Sequence, residues 1–235
     1  MLHRLLQKDR SKLHFLAEHS LMLFFGGLLG ARIDFILHNT SYFFGEFSIN
    51  HLLQILYIWD KGLSFWGAVI GITIVLYLLC RKKKENFLQW LDVIMISVGT
   101  GLIFGNIGSF LDGQNYGTET DLPWGVIIES SRFAIPIHPT QIYSAIYTLF
   151  ITLLLYHLYF HAFGKREGNV TLIGIASYSG LRFIEEFLRG DESYYLLGLR
   201  EAQIYCLLAL IASAVVWYFR FKKPPAHTSS PPTAS

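Results

Sequence analysis

The chain has 235 residues, of which 52% are hydrophobic and only 15% are charged, and its formal net charge is +2. Average soluble domains carry about a quarter charged residues, so this composition argues against an ordinary soluble enzyme, and we expect no nucleic-acid partner. The apolar residues are concentrated in long runs, each close to the ~20 residues that a helix needs to cross a bilayer. A soluble helical domain can bury one such run in its core, but six such runs are too many for a core of this size.

In chain order, the apolar runs predict an all-α polytopic membrane protein with about six transmembrane helices. We place these spans at residues 16–38, 62–80, 91–111, 140–160, 170–188 and 202–220. They form one predicted membrane domain, residues 16–221. A basic cytoplasmic lead, 1–15, precedes this domain, and a tail rich in Pro, Ser and Thr, 222–235, is expected to be disordered.

The basic residues predict the orientation of these helices. They cluster before the first span and after the second, fourth and sixth, at Arg4, Lys8, Arg10, Lys12, Arg81, Lys82, Lys83, Lys84, Lys165, Arg166, Arg220, Lys222 and Lys223. If the spans alternate in direction, all these positions lie on one side of the membrane. The positive-inside rule then places both termini in the cytoplasm.

Ionisable residues in the first and fifth predicted spans indicate functional sites, because charged groups are costly inside a membrane. Arg32 and Asp34 lie in the first span, where a structural ion pair or a span end is an equal alternative to function. Arg182 and Glu186 lie in the fifth span and Arg189 directly follows it, with spacings of four and three residues between them. Such spacing places them on one helix face.

Polar residues also surround the end of the third span. Its glycines, and those of the loop that follows, alternate with amide, hydroxyl and carboxyl side chains at Asn106, Ser109, Asp112, Gln114 and Asn115. Packing explains the glycines but not this polar decoration. The next span opens with His138-Pro139-Thr140-Gln141, and Pro139 predicts a helix start there. His138 is therefore expected at a helix N-terminus close to the polar strip.

These features together resemble the prolipoprotein diacylglyceryl transferase family. The resemblance covers roughly residues 24–210 and rests on four segments in the right order. They are Trp59-Asp60-Lys61-Gly62-Leu63-Ser64-Phe65, the stretch 105–117 with 120–125, His138-Pro139-Thr140-Gln141-Ile142-Tyr143, and a late helix with Tyr178, Arg182-Phe183, Glu186-Phe187 and Arg189.

The resemblance implies a bacterial inner-membrane enzyme that moves a diacylglyceryl group from phosphatidylglycerol to the lipobox cysteine thiol of a prolipoprotein. Its partners would be that lipid, the prolipoprotein signal segment and the bilayer, without a cofactor or metal. Arg182 would stabilise the leaving phosphate, and His138 or Glu186 would take the thiol proton. The implied substrate-binding residues are Asn106, Ser109, Gln114, Gly117, Gln141, Tyr178 and Arg189.

The chain departs from the family pattern at several positions. Trp66 stands where the family has His, Asn106 and Ser109 where it has Arg and Asn, Gln114 where it has Glu, and Ser144 where it has Glu. The first family helix is also expected to be missing. These departures leave a second hypothesis open, in which the chain is a catalytically impaired relative that binds anionic lipid or lipoprotein signal segments. The intramembrane charges keep open a small membrane transporter.

Overall fold

A computed structural model describes residues 10–44, 62–127, 135–161 and 166–222. Most of the predicted lead and nearly all of the predicted tail lie outside these described residues. A 3-10 turn, Glu186–Leu188, directly follows the helix that ends at Glu185. The helices and the two strands are α1 Arg10–His38, α2 Thr40–Phe44, α3 Phe65–Lys83, α4 Phe87–Leu111, α5 Thr140–Phe160, α6 Asn169–Glu185, β1 Tyr195–Leu196, β2 Leu199–Arg200 and α7 Glu201–Lys222.

The described part of the chain is mostly helical, which confirms the all-α membrane class. Within the described ranges, four helices are long and apolar enough to cross a membrane, at Ala17–His38, Phe87–Leu111, Thr140–Phe160 and Glu201–Arg220. Helices α3 and α6 coincide with the two other predicted spans but are not among these four. Helix α6 has only 17 residues, and α3 ends in Arg81, Lys82 and Lys83.

The chain divides after Trp90 into two compact units. In the first unit, glycines bring α1 and α3 into backbone contact. A Cβ atom on Gly30 would collide with the carbonyl oxygen of Gly67, and one on Gly71 would collide with that of Gly26. Small residues at such positions let membrane helices approach closely. These four glycines therefore serve the close packing of α1 against α3.

The first unit also contains Arg32 and Asp34, and both contact the segment that leads into α3. Arg32 Nη1 donates to the Gly62 carbonyl oxygen at 3.1 Å, and its guanidinium lies 5.5 Å from the ring centroid of Phe35. Asp34 accepts a hydrogen bond from Ser64 Oγ, and Ser64 is the N-cap residue of α3. These contacts favour the structural interpretation of this charged pair.

In the second unit, contacts at both ends of the helices show that their directions alternate. At one end, Asp92 near the start of α4 accepts hydrogen bonds from Gly168 N at 2.6 Å and Thr171 N at 2.7 Å, which belong to the start of α6. Arg220 near the end of α7 donates to the Glu167 carbonyl oxygen at this same end. The opposite side of the unit carries the candidate site. There the last residues of α4 and α6 meet the first residues of α5 and α7.

Candidate active site

Three arginines and three carboxylates form a buried ion cluster at this end of the second unit. The acidic members are Glu185, Glu186 and Asp191, and the basic members are Arg182, Arg189 and Arg200. The formal charges of these six side chains sum to zero. Buried charges are tolerated when they are paired in this way.

Arg182 is held by two different carboxylates. Its Nη1 lies 2.8 Å from Glu185 Oε1, and its Nη2 lies 2.6 Å from Glu186 Oε1. The side chain of Arg182 is 20% exposed, whereas those of Arg189 and Arg200 are each 7% exposed. Arg182 is therefore the cation of this cluster that a ligand reaches most easily.

Arg189 and Arg200 both pair with Asp191 and so hold the segment after α6 in place. Arg189 Nη2 lies 2.5 Å from Asp191 Oδ2, and Arg200 Nη2 lies 2.8 Å from Asp191 Oδ1. Burial alone would raise the pKa of the Asp191 carboxyl, but hydrogen bonds and charge from the two guanidinium groups lower it below its usual range. Arg200 also donates from Nη1 to the Arg189 carbonyl oxygen at 3.0 Å.

Asn115 joins this cluster to the polar strip at the end of α4. Its Oδ1 accepts from Arg189 Nη2 at 2.7 Å, and its Nδ2 donates to Ser109 Oγ at 3.3 Å. Its backbone φ of 58° is left-handed, a region that Asn tolerates better than most residues. Its carbonyl oxygen accepts from Thr140 Oγ1 at 2.7 Å, which fastens the loop to the start of α5.

Two short backbone pairings bring Gly117 between His138 and Arg189. Gly117 N donates to the His138 carbonyl oxygen at 3.1 Å, and an isolated antiparallel bridge pairs Gly117 with Arg189. A Cβ atom on Gly117 would collide with the His138 carbonyl oxygen and with the His138 side chain. The glycine is therefore required by the close approach of these segments.

A tyrosine hydroxyl links His138 to the loop before it. Tyr143 OH lies 3.3 Å from His138 Nδ1 and accepts from Trp124 Nε1 at 2.8 Å. The indole nitrogen is a donor only, so the phenol oxygen serves as its acceptor and the phenol hydrogen is available for His138. His138 is half-buried at the start of α5, where the sequence places it.

Glu185 connects the ion cluster to α5. Its Oε2 accepts from Ser144 Oγ at 2.6 Å and from Tyr147 OH at 2.6 Å. Tyr178 lies beside this group, with its ring centroid 5.9 Å from that of Tyr147. Ser144 stands where the family resemblance implies Glu. The carboxylate of Glu185, which belongs to α6, nevertheless lies within hydrogen-bond distance of Ser144.

Two buried polar atoms near the polar strip lack a hydrogen-bond partner within the described ranges. They are Asn106 Nδ2, a donor, and Gln141 Oε1, an acceptor. The other amide atom of Gln141, Nε2, donates to the Gln114 carbonyl oxygen. The side chain of Gln114 itself is exposed and donates to Asp112 Oδ2. Gln114 therefore contributes its backbone, rather than its amide, to the contact with α5.

The sequence identified part of this arrangement. The spacing of Arg182, Glu186 and Arg189 placed them on one face, and the structure brings them into one cluster. Sequence reasoning did not select Glu185 or Arg200 as site residues. Glu185 was visible as an acid three residues after Arg182, but Arg200 carried no comparable signal because it reaches the cluster through the hairpin of β1 and β2.

The family model of prolipoprotein diacylglyceryl transferase matches residues 1–219. The chain belongs to this family. Among similar proteins named phosphatidylglycerol–prolipoprotein diacylglyceryl transferase, one from Clostridium tetani is 35% identical over 202 residues, which cover 84% of this chain and 78% of the relative. One from Cupriavidus necator is 34% identical over 223 residues, covering 89% and 78%. One from Paracidovorax citrulli is 28% identical over 207 residues, covering 86% and 76%.

As a prolipoprotein diacylglyceryl transferase family member, the chain keeps a half-buried and paired Arg182 despite its departures from the family pattern. Of those departures, Asn106 has a donor atom that no described residue pairs, Ser109 is bound to Asn115, and Ser144 is bound to Glu185. Membership in this family also weighs against the small-transporter alternative, which rested only on intramembrane charge.

Proposed function

We propose that this chain transfers a diacylglyceryl group from phosphatidylglycerol to the lipobox cysteine thiol of a prolipoprotein. In this reaction the cysteine sulfur forms a bond to the terminal glyceryl carbon of the lipid. The bond between that carbon and the phosphate oxygen breaks, and glycerol phosphate leaves with the electron pair. The thiol proton passes to a base, because the thiolate is the nucleophilic form.

Arg182 carries this proposal. Its guanidinium is the most accessible cation of the cluster, and two carboxylates fix it from α6 and the 3-10 turn. Each of its terminal nitrogens has a second N–H beyond the one used in its ion pair. A planar donor of this kind suits a phosphate that gains negative charge as it leaves.

His138 is the better candidate for the base. Protonation of Glu186 would weaken two close ion pairs, to Arg182 at 2.6 Å and to Arg200 at 2.7 Å. The contact of His138 with Tyr143 OH involves a neutral group instead. We therefore assign the thiol proton to His138, and we assign Glu186 the task of holding Arg182.

Neutral polar groups supply the remaining proposed contacts to substrate. Asn106 Nδ2 is available as a donor and Gln141 Oε1 as an acceptor, and the glycerol headgroup offers partners for both. The other residues proposed to contact the substrate around these two atoms are Ser109, Gln114, Gly117, Tyr178 and Arg189. Leaving buried polar atoms unpaired is costly, so a polar substrate that pairs them gains binding energy.

We further propose six membrane spans, with both termini in the cytoplasm of a bacterium and the protein in its inner membrane. The alternating helices of the second unit support this arrangement. Arg220 donates to the Glu167 carbonyl oxygen at the end opposite the site, and Arg220 is one of the basic residues predicted to be cytoplasmic. The site would then face the outer leaflet, where it would meet phosphatidylglycerol and the prolipoprotein signal segment.

A cellular replacement experiment tests this function. A bacterium depleted of its own transferase would express this chain together with a reporter prolipoprotein, and mass spectrometry would follow the reporter. We expect a diacylglyceryl adduct on the lipobox cysteine with the wild type and the Cupriavidus necator relative, and none with Arg182→Ala. An unmodified reporter with the wild type, despite modification by the relative, would instead support the binding-only alternative.

A further inference from the structure

The two oxygens of Glu185 serve two different helices. Oε1 binds Arg182 Nη1 at 2.8 Å within the last turn of α6. Oε2 receives hydrogen bonds from Ser144 and Tyr147, both at 2.6 Å, on α5. The residue is only 4% exposed. This carboxylate is therefore fully engaged and physically joins the candidate phosphate-binding arginine to the neighbouring helix.

This connection restricts Arg182 in a way that Glu186 alone does not. A single carboxylate on one terminal nitrogen leaves the guanidinium free to rotate about that contact. Glu185 and Glu186 hold the two terminal nitrogens separately, so together they fix the plane of the group. Because Ser144 and Tyr147 fix Glu185 in turn, the orientation of Arg182 depends on α5 as well as on α6.

We propose that Glu185 is a positioning residue for the transfer reaction, acting through Arg182 and anchored by Ser144 and Tyr147. The inference rests on the proposed function, because the orientation of Arg182 matters only if a phosphate leaves against it. Its effect belongs to the transition state, where charge develops on that phosphate. Misplacement of a positioned group by about 1 Å costs roughly 10²-fold in rate.

Glu185→Gln is the first variant, because it keeps the shape of the side chain and removes its charge. The assay uses purified protein in phosphatidylglycerol vesicles with a lipobox peptide, and it measures kcat and KM for the lipid separately. We expect kcat to fall by about 10²-fold with KM nearly unchanged, as for an interaction that is made mainly in the transition state. Tyr147→Phe removes one anchor and should lower kcat by a smaller factor.

An exchange variant separates positioning from a general structural role. Ser144 Oγ already touches Glu185 Oε2, so a longer carboxylate side chain at position 144 reaches the same region from α5. The double variant Ser144→Glu with Glu185→Ser returns a carboxylate to Arg182 and a hydroxyl to α6. We expect it to recover most of the kcat that Glu185→Gln loses, because what matters is the carboxylate and not the helix that carries it.

Asp92→Asn is the matched control. Asp92 is another buried carboxylate, bound by Gly168 N and Thr171 N at the opposite end of the unit, so its loss should lower the melting temperature and leave kcat unchanged. Wild-type kcat in Glu185→Gln, or an exchange variant that folds but stays as slow as Glu185→Gln, would overturn the inference alone. A wild type that makes no adduct while a relative does would instead overturn the proposed function, and this inference with it.

Discussion

Arg200 Nε lies 2.7 Å from Glu186 Oε2, and the other oxygen of Glu186 lies 2.6 Å from Arg182 Nη2. Neither Arg200 Nε nor Glu186 Oε2 has a partner with hydrogen-bond geometry among the described residues. Their contact is therefore a close ion pair rather than a well-aligned hydrogen bond. Through it, the hairpin that precedes α7 is joined to the guanidinium at the centre of the candidate site. Arg200 thus links α7 to the candidate site.

Removal of Arg200 should be strongly destabilising. Arg200→Met takes one cationic partner from both Glu186 and Asp191 and leaves the cluster with an uncompensated negative charge, and breaking a buried ion pair costs about 3–5 kcal/mol. Lys83→Met is the matched control, because Lys83 pairs with Glu18 at 3.4 Å with both side chains more than 40% exposed, and such pairs contribute at most about 1 kcal/mol. Thermal unfolding in detergent measures both variants. Equal losses would contradict the assigned role of Arg200.

Gly117 should not tolerate a side chain. Gly117→Ala pushes a Cβ atom against the backbone of His138 and Leu188, which would separate the loop from α5 and lower both the melting temperature and kcat. Gly108→Ala on α4 is the control, since no atom of the described residues lies within 4 Å of its Cβ position. Replacing a helical glycine by alanine stabilises a helix by about 0.5–1 kcal/mol. Full activity of Gly117→Ala would show that this close approach is not needed.

The assignment of His138 predicts a large loss of rate when its imidazole is removed. His138→Gln should lower kcat by roughly 10²–10⁴-fold, the usual contribution of a general base, in the assay with phosphatidylglycerol vesicles and a lipobox peptide. Tyr143→Phe removes only the hydroxyl that contacts His138 and Trp124, so we expect a smaller loss. A kcat of His138→Gln close to the wild-type value would move the base to another residue.

Asp191 predicts how stability responds to acid. Its native pKa is lowered by Arg189 and Arg200, so its ionised form stabilises the folded protein at every pH above its ordinary value of about 3.9. This stabilisation is lost as the pH falls through the lowered native pKa. The difference in melting temperature between wild type and Asp191→Asn should therefore be largest above that ordinary value and shrink in stronger acid. A difference that grows on acidification would reverse the assigned sign.

The sequence predicted the helices well because their main determinant is local. Each apolar run has the length of a bilayer crossing, and the long helices of the structure lie at the predicted positions. The stripe of Arg182, Glu186 and Arg189 was also predictable, since residues three and four apart meet on one helix face. The structure adds that this face continues from α6 into a 3-10 turn.

The rest of the site depends on tertiary contacts that spacing does not encode. Asn115 joins Ser109 to Arg189 only because the loop after α4 folds back with a left-handed residue. Glu185 meets Ser144 only because α5 and α6 lie side by side. Such contacts unite residues tens of positions apart, and a single sequence carries no signal of which distant polar residues will meet.

The most direct test of the central claim is a measurement of both products in one reaction. Purified protein would be incubated with a lipobox peptide and phosphatidylglycerol labelled in its headgroup glycerol, and mass spectrometry would quantify the thioether adduct and the labelled glycerol phosphate. We predict equal amounts of the two products with the wild type and neither with Arg182→Ala. Glycerol phosphate without the adduct, or no products beside an active relative, would contradict the claim that this site transfers the diacylglyceryl group.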